Sequence, residues 1–351
     1  MSKSIPMELS QRGRASVDFL AHLFRGSAEI RKRNQSLEAE LAADVEALPD
    51  DLDTRNAQME QQLASSPAFR CRELVGEWHA RYHGRIAREA FDEIAGRVVP
   101  QLESLDSGPA FLETAPGDDA PDYWAGVEFH RTAGGWDGSA FHGAIHGELI
   151  HRKMVDAIFP GGIFRQRRMV AGLAPRDSYR RILDMGCSTG HFTTALAEAY
   201  PEAEIYGVDL SPRNLEHARR QANLNGWGWQ LYQRPAEHCG FEDNKFDLVA
   251  SYILLHELPV DVVQAVFDEA WRVLEPGGDM LMSDVTRYAD LDKLAQWRAD
   301  RGAMYGGEPH WRASASLDLV AIARNAGFVD VVGAYEGPGN YPYVVRGRKP
   351  S

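Results

Sequence analysis

The chain has 351 residues, a length that suits about two domains. Hydrophobic residues make up 44% and charged residues 25% of it, which excludes wholesale disorder and collagen-like repeats. Its 38 basic and 51 acidic residues give a net charge of −13, which argues against nucleic acids or anionic membranes as partners. Without a long apolar run or a recognisable secretory signal, the sequence predicts a cytoplasmic protein.

The amino-terminal part of the sequence is typical of helices. Residues 16–105 are rich in Ala, Glu, Arg, Leu and Gln and have few strand-like runs. Leu74, Trp78, Tyr82 and Ile86 recur every four positions, a helical stripe that packs either inward or against a second subunit. We therefore predict a mainly helical domain over residues 1–120, which caps a pocket and is a possible homodimer interface.

The next segment, residues 107–143, is rich in Gly, Pro and Asp and predicts loops at a domain junction. We assign residues 121–150 to a linker that contributes to the pocket. The aromatic residues Tyr123 and Trp124 fit a lid over an apolar acceptor, and they equally fit a core between domains.

Three histidines follow directly, His142, His146 and His151. The spacing of four between His142 and His146 places both imidazoles on one face of a helix, as in some metal sites. Because no HExxH pattern and no second ligand pair accompany them, we assign His142 and His146 to the substrate pocket and predict no metal. The three cysteines, Cys71, Cys187 and Cys239, form no CxxC pair, so reduced thiols are expected.

From residue 151 onward, short apolar runs alternate with segments of helical length. The runs include RRILDMGC, EIYGVDL, FDLVASYILL and DMLMSDV, and this alternation predicts a parallel sheet covered on both faces. Two final apolar segments, FVDVVGAY and YPYVVRGR, predict a terminal antiparallel hairpin. Residues 151–351 are thus the predicted ligand-binding domain.

The strongest motif is ILDMGCSTGHF, where a strand reaches Asp184, Gly186 and Gly190 before a helix begins. Glycines let the backbone approach a ligand, and the free amides of the helix face the same crevice. The next strand ends at Asp209, whose carboxylate can accept hydrogen bonds from ribose hydroxyls. The pattern predicts an adenosine pocket. An NAD site stays an alternative, although Ser188 stands where its GxGxxG fingerprint has glycine.

The last ~200 residues resemble the class I S-adenosylmethionine-dependent methyltransferases. ILDMGCSTG, YGVDLSPRNLEHAR, AEHCGFEDNKFDLVAS and RVLEPGGDMLMSDV match the family's motifs in order. The resemblance implies an α/β fold with a Rossmann-like, seven-stranded sheet and S-adenosylmethionine as cofactor. It places these residues at the cofactor: Asp184, Gly186, Cys187, Ser188, Gly190, Asp209, Leu210, Ala236, Glu237 and Ser251. One departure is Pro235, where family members often have aspartate.

His256 and Glu257 follow the fourth strand of that sheet at its carboxyl end, where open α/β sheets bind ligands. We predict them as catalytic residues, with His256 a general base, although His256 can equally serve only as a hydrogen-bonding residue of the loop. Tyr252 and Tyr305 are further predicted substrate contacts. Methyl transfer from a sulfonium depends mainly on alignment, so the lack of an evident base is no objection.

The sequence therefore predicts transfer of a methyl group to a small organic acceptor, with O-methylation of a phenol or another moderately hydrophobic molecule favoured. Three alternatives stay open. These are a methyltransferase fold that uses bound S-adenosylmethionine without methyl transfer, an NAD-dependent oxidoreductase, and a binding module without enzymatic activity.

Overall fold

The computed structural model describes residues 2–26, 28–41, 44–114, 120–132, 135–156, 162–337 and 340–351. Its strands are β1 Phe111–Glu113, β2 Arg181–Met185, β3 Glu204–Asp209, β4 Gln230–Gln233, β5 Phe246–Tyr252, β6 Leu274–Asp284, β7 Val329–Tyr335 and β8 Tyr343–Arg348. They form one sheet in the order β1-β4-β3-β2-β5-β6-β8-β7. Strands β1 to β6 run parallel, and β8 pairs antiparallel with β6 and β7. The predicted parallel sheet with a terminal antiparallel hairpin is confirmed.

The described helices are α1 Gln11–Gly26, α2 Ala28–Leu41, α3 Leu52–Leu63, α4 Pro67–Asp92, α5 Ala95–Ser104, α6 His142–Ala144, α7 Ile163–Ala171, α8 His191–Ala199, α9 Pro212–Asn225, α10 Val260–Val273, α11 Lys293–Gly306, α12 Trp311–Ala315 and α13 Leu319–Asn325. The short helix α6 continues as a π-helix over Ile145–Val155. Such π-helices occur often at functional sites.

The sheet has an eighth strand beyond the seven that the sequence predicts. Strand β1 comes from the segment predicted as loop and adds to the free edge of β4, with Phe111 opposite Gln230. Asn223 on α9 fixes it, because its side chain accepts from the amide of Ala110 and donates to the carbonyl of Leu105. The three residues of β1 form too short a pattern to be predicted as a strand from the sequence.

Both faces of the sheet are buried, as expected for parallel strands between helices. All seven residues of β5 are buried. One face packs under α10 and α13, around Phe267 and Leu319. The other packs under α7, α8 and α9, around Leu196 and Leu215. The packing on both faces therefore holds the strand ends in place.

The amino-terminal helices pack on two different parts of the chain. Helices α1, α4 and α5 share a core with the π-helix, in which Leu20, Val98 and Leu149 are fully buried. Helix α3 packs on α11, where the indole nitrogen of Trp297 donates to Asn56 at 3.0 Å. The amino-terminal helices thus touch both the segment before the sheet and the segment after β6.

The predicted helical stripe lies on α4, and its residues face different surroundings. Leu74 is 68% exposed, whereas Trp78 packs edge-on against Phe19 with ring centroids 6.1 Å apart. The homodimer and the division at residues 120 and 150 stay predictions. The mass in solution, by light scattering, tests the first of them.

Candidate functional site

The carboxyl ends of β2, β3, β4 and β5 border a cleft. Twelve of the residues predicted from the sequence line it, namely Tyr123, Trp124, His146, Gly186, Ser188, Asp209, Leu210, Ala236, Glu237, Tyr252, His256 and Glu257. Its position is the one at which open α/β sheets bind their ligands.

Two glycines shape the turn after β2. Gly186 has φ +71° and Gly190 has φ +80°, so a side chain at either position would be strained. An added Cβ at Gly186 would lie 2.8 Å from Leu254, and one at Gly190 would lie 2.8 Å from Trp229. The glycines therefore serve the tight turn and the packing of α8, and of the two only Gly186 lines the cleft.

Four predicted cofactor residues do not line the cleft. Gly190 is one, and Cys187 is another, because its thiol is buried against Gly207 in the core. Ser251 is fully buried within β5. Asp184 is also fully buried and accepts a hydrogen bond from the Thr193 hydroxyl at 2.6 Å. These residues support the cleft from behind.

Asp209 lies at the centre of the cleft. Its two carboxylate oxygens accept the backbone amides of Ser188 and Ser211, each at 2.9 Å. Burial raises the pKa of Asp209 to about 6, although both amides favour the ionised form. The amides fix the orientation of the carboxylate, and each oxygen keeps a lone pair for a ligand hydroxyl. This geometry fits the predicted ribose site.

A second acidic side chain lies beyond β4, in the turn Ala236–His238. Glu237 accepts a hydrogen bond from the hydroxyl of Tyr123 at 2.6 Å. Its other carboxylate oxygen is buried and has no hydrogen-bond partner. The sequence predicted Tyr123 as a substrate contact, but in the structure its hydroxyl positions Glu237 instead.

Arg167 on α7 is a lining residue that the sequence analysis missed. It is only 9% exposed, and its guanidinium lies over the rings of Tyr252 and Phe164, 4.7 and 5.9 Å from their centroids. Its Nε atom has no partner, and among the described residues Arg167 forms no ion pair with a carboxylate. A buried cation without an anion indicates a site for an anionic ligand group.

The neighbouring histidines are neutral. Burial lowers the pKa of His146 and His151 well below the usual value, and the charge of Arg167 lowers that of His151 further. The rings of His142 and His146 stack with centroids 5.7 Å apart, as their spacing predicts, and His146 meets the edge of Trp136. His142, predicted in the substrate pocket, is buried behind His146 and does not line the cleft.

Tyr305 is the predicted substrate residue that lies farthest from this arrangement. It sits on α11, where its hydroxyl donates to Glu73 and accepts from Arg301 at 2.9 Å. It lines a different cavity, between α4 and α11. The placement of Tyr305 in the substrate pocket is therefore wrong, because α11 turns this face toward the amino-terminal helices.

The opposite end of the cleft holds a cluster of histidines and carboxylates. His130 contacts Glu257 through Nε2 at 3.0 Å and Glu308 through Nδ1 at 2.9 Å. His256 contacts Asp284 through Nδ1 at 2.9 Å. Burial opposes protonation of His130, but the carboxylates of Glu308 and Glu257 outweigh it and raise the pKa to about 10. His130 and Glu308 were missed because nothing in their local sequence marks them.

His256 and Glu257 lie where the sequence predicts, on the turn after β5. Burial disfavours a proton on His256, but the carboxylate of Asp284 outweighs this and raises its pKa well above the usual value. An imidazole that is protonated on both nitrogens cannot accept a further proton. In that state His256 Nε2 is a donor toward Glu257 Oε1, 3.5 Å away, and its role as a general base stays a prediction.

A Rossmann-like sheet with a carboxylate at the end of its third strand is an arrangement in which open α/β sheets bind nucleoside ligands. A family model described as "Methyltransferase domain" matches residues 182–278. An uncharacterized methyltransferase of Synechocystis is 32% identical over 157 residues, which cover 43% of this chain and 68% of that protein. The chain belongs to the class I S-adenosylmethionine-dependent methyltransferases.

Two further similarities cover less of the matched protein. A ubiquinone/menaquinone biosynthesis C-methyltransferase of Desulfotalea psychrophila is 34% identical over 122 residues, 35% of this chain and 48% of that protein. The chain thus spans about half the length of this relative. The structure of Haemonchus contortus phosphoethanolamine N-methyltransferase 2 with S-adenosyl-L-methionine superposes with a TM-score of 0.49 and 16% identity, over 66% of this chain and 61% of that one.

Among the described residues, none of the helices combines the length and the apolar character that crossing a bilayer requires.

Proposed function

We propose that the protein transfers a methyl group from S-adenosylmethionine to a small organic acceptor. The observation that carries this proposal is the cleft at the strand ends, with Asp209 at its centre and unsatisfied charged groups on either side. S-adenosylmethionine supplies an activated methyl group on a sulfonium, so the protein's task is to align acceptor, methyl and sulfur.

The residues present fit the cofactor along its whole length. Asp209 would accept the ribose hydroxyls, and the unpartnered oxygen of Glu237 would accept the adenine amino group. Glu237 thereby takes over the acidic role that Pro235 leaves open. Arg167 would bind the methionine carboxylate, because it is a buried cation that lines the cleft and forms no ion pair with a carboxylate among the described residues. Because Gly186 has no side chain, the methionine part of the cofactor could lie close to its backbone.

The remaining wall of the cleft suits an acceptor with an apolar part. Trp124 and Trp136 flank Phe129, with ring centroids 5.6 and 6.2 Å from it. The turn with His256 and Glu257 provides polar groups beside these rings. We propose a phenol or a similar hydroxylated aromatic compound as the acceptor, methylated on oxygen. The cleft provides aromatic rings for stacking and polar groups that could contact the hydroxyl.

The test of the cofactor is a calorimetric titration with S-adenosylmethionine, S-adenosylhomocysteine and NAD. We expect micromolar binding of the first two and none of NAD. Asp209→Ala should weaken binding at least about tenfold, since it removes hydrogen bonds to a charged acceptor worth ~1.5–3 kcal/mol each. Tight NAD binding alone would refute the proposal.

The test of the reaction is a screen of phenols, amines and thiols with product mass as the readout. A product that gains one methylene in mass supports methyl transfer. A product that forms only with S-adenosylmethionine but gains no methyl group would favour the alternative in which the cofactor is bound without transfer. Methylation of amines alone would contradict the proposed phenol.

A further inference from the structure

The cluster at the acceptor end of the cleft has an unusual feature, which is that two imidazole nitrogens converge on one carboxylate oxygen. Glu257 Oε1 lies 3.0 Å from His130 Nε2 and 3.5 Å from His256 Nε2. Glu308 Oε2 lies 4.0 Å from His256 Nε2. Four side chains from three separate segments thus direct nitrogen and oxygen atoms at one small volume.

The other nitrogen of each ring also lies near a carboxylate. His130 Nδ1 lies 2.9 Å from Glu308 Oε1, and His256 Nδ1 is hydrogen-bonded to Asp284 Oδ1 at 2.9 Å. Because an ionised carboxylate only accepts hydrogen bonds, His256 Nδ1 carries a proton and donates it. Asp284 is itself fixed by the amides of Leu255 at 2.6 Å and Val285 at 2.8 Å. Metal-binding histidines are held in this way in known sites.

Three carboxylates, those of Glu257, Glu308 and Asp284, surround the two imidazole rings. Their negative charges are balanced either by protons on the rings or by one divalent cation. The Oε2 atoms of Glu257 and Glu308 are buried without a hydrogen-bond partner, so they keep lone pairs that protons on the rings do not use.

We propose that this cluster is a binding site for one divalent transition-metal ion, held by His130, Glu257 and Glu308, whose candidate ligand atoms all lie within 4.8 Å of one another. Zinc–nitrogen and zinc–oxygen bonds are about 2.0–2.2 Å long, so ligand atoms around a tetrahedral ion lie roughly 3.3–3.5 Å apart. The 3.0 Å between His130 Nε2 and Glu257 Oε1 is near that spacing, and His256 Nε2 lies 3.5 Å from the same oxygen. An imidazole with two carboxylates favours Zn²⁺, Fe²⁺ or Mn²⁺ over Mg²⁺ and Ca²⁺.

The backbone is shaped to bring these residues together. The amide of His130 donates to the carbonyl of Gly307 at 3.2 Å, which docks the turn Phe129–Arg131 on the end of α11, beside Glu308. Gly307 has φ +77°, and an added Cβ would lie 2.9 Å from the backbone nitrogen of Arg131. His130 itself has φ +52°, a strained value for a residue with a side chain. Strain of this kind is common at ligand-binding residues.

The site would act on the acceptor. His130, His256 and Glu257 all line the cleft, so an ion among them has access to a bound molecule. A metal ion lowers the pKa of a coordinated hydroxyl, which would prepare an acceptor oxygen for methylation without a histidine base. This role rests on the proposed function, whereas the binding of the ion does not.

The test is metal binding to the full-length protein. The protein is stripped with a chelator and titrated calorimetrically with Zn²⁺, Mn²⁺ and Mg²⁺ in two buffers of different ionisation enthalpy, which reports the protons released. We expect one Zn²⁺ per chain with release of one to two protons. Glu308→Gln and His130→Asn should each weaken binding at least about tenfold, since ligand and supporting residues matter by that amount.

The matched control is His238→Gln, because His238 is exposed and lies outside the cluster. It should bind Zn²⁺ like the unmodified chain. Circular dichroism of each variant shows whether it is folded, and Co²⁺ in place of Zn²⁺ reports the ligand set through its visible spectrum. A Co²⁺ spectrum without histidine and carboxylate ligands, or equal affinity in the folded Glu308→Gln variant, would overturn the proposal.

Less than about one tenth of an ion per chain would also overturn it, and the cluster would then be an ion-pair network held by protons. Binding of S-adenosylmethionine is measured separately on the stripped protein. If the protein binds S-adenosylmethionine but no metal ion, the proposed methyl transfer still stands. If it binds the metal ion but no S-adenosylmethionine, only the proposed function is refuted.

Discussion

Arg167 offers the sharpest test of how the cofactor lies in the cleft. Arg167→Met removes a buried cation that has no carboxylate partner among the described residues and keeps the apolar stem of the side chain. If the guanidinium binds the methionine carboxylate, at least one charge-assisted hydrogen bond of ~1.5–3 kcal/mol is lost. At 1.4 kcal/mol per tenfold change, affinity for S-adenosylmethionine should fall about 10- to 100-fold.

A second ligand separates direct contact from general damage. Decarboxylated S-adenosylmethionine lacks the group that Arg167 is proposed to bind, so Arg167→Met should change its affinity little. Calorimetry of both proteins with both ligands completes a thermodynamic cycle. In it we expect a coupling free energy of at least ~1.5 kcal/mol between the Arg167 side chain and the ligand carboxylate. Equal loss of affinity for the two ligands would refute the placement of the carboxylate.

Although Arg167→Met should weaken ligand binding, it should increase the free energy of unfolding of the protein. Burying an unpaired charge costs several kcal/mol, partly offset here by the aromatic rings of Tyr252 and Phe164. Urea unfolding without cofactor should therefore show Arg167→Met to be more stable by about 1–2 kcal/mol. Arg165 is exposed on the same helix, so Arg165→Met is the matched control and should change neither stability nor affinity.

Three further predictions concern other parts of the cleft. Burial raises the pKa of Asp184 to about 7, so the native state keeps a proton that the unfolded chain loses near pH 4, and stability falls as pH rises between these values. The gain in unfolding free energy on Asp184→Asn should thus be about 2–3 kcal/mol larger at pH 8 than at pH 5, and a gain independent of pH would contradict this. Tyr123→Phe removes the bond that positions Glu237 and should weaken cofactor binding about three- to tenfold by calorimetry, whereas unchanged affinity would show that Glu237 does not bind adenine. Gly307→Ala should destabilise the fold by about 1–3 kcal/mol in urea unfolding and weaken Zn²⁺ binding, because of its positive φ and a neighbouring backbone nitrogen. Gly302→Ala, in open space on the same helix, should do neither.

The cofactor half of the cleft was predictable because its residues lie in short local motifs. Asp209 ends a strand of β-branched and apolar residues and is followed by the helix cap Ser211, so its position at the sheet edge follows from the local pattern. Gly186 needs its positive φ for the turn that joins β2 to α8. In both cases the signal lies within a few residues of the site, where periodicity and turn chemistry apply.

The acceptor half was less predictable because its geometry depends on contacts between distant segments. Glu308 lies 178 positions after His130, and only the packing of a loop on the end of α11 brings them together. Arg167 is one of several arginines on α7, and the sequence does not show that this one faces inward. Tyr305 was misplaced for the same reason, since its helix faces α4 rather than the cleft.

Strained backbone conformations occur in several of the loops that line the cleft. Three residues with side chains and positive φ, His130, Ser188 and Ile253, line the cleft, each from a different loop. Such conformations cost of order 1–3 kcal/mol each and persist only where the surroundings enforce them. Ser188 donates the amide that orients Asp209, and Ile253 precedes the turn that presents His256. His130 approaches the same turn from the opposite side. A fold that needed only stability would relax these loops, so their convergence supports the proposal that the cleft binds a cofactor at one end and an acceptor at the other.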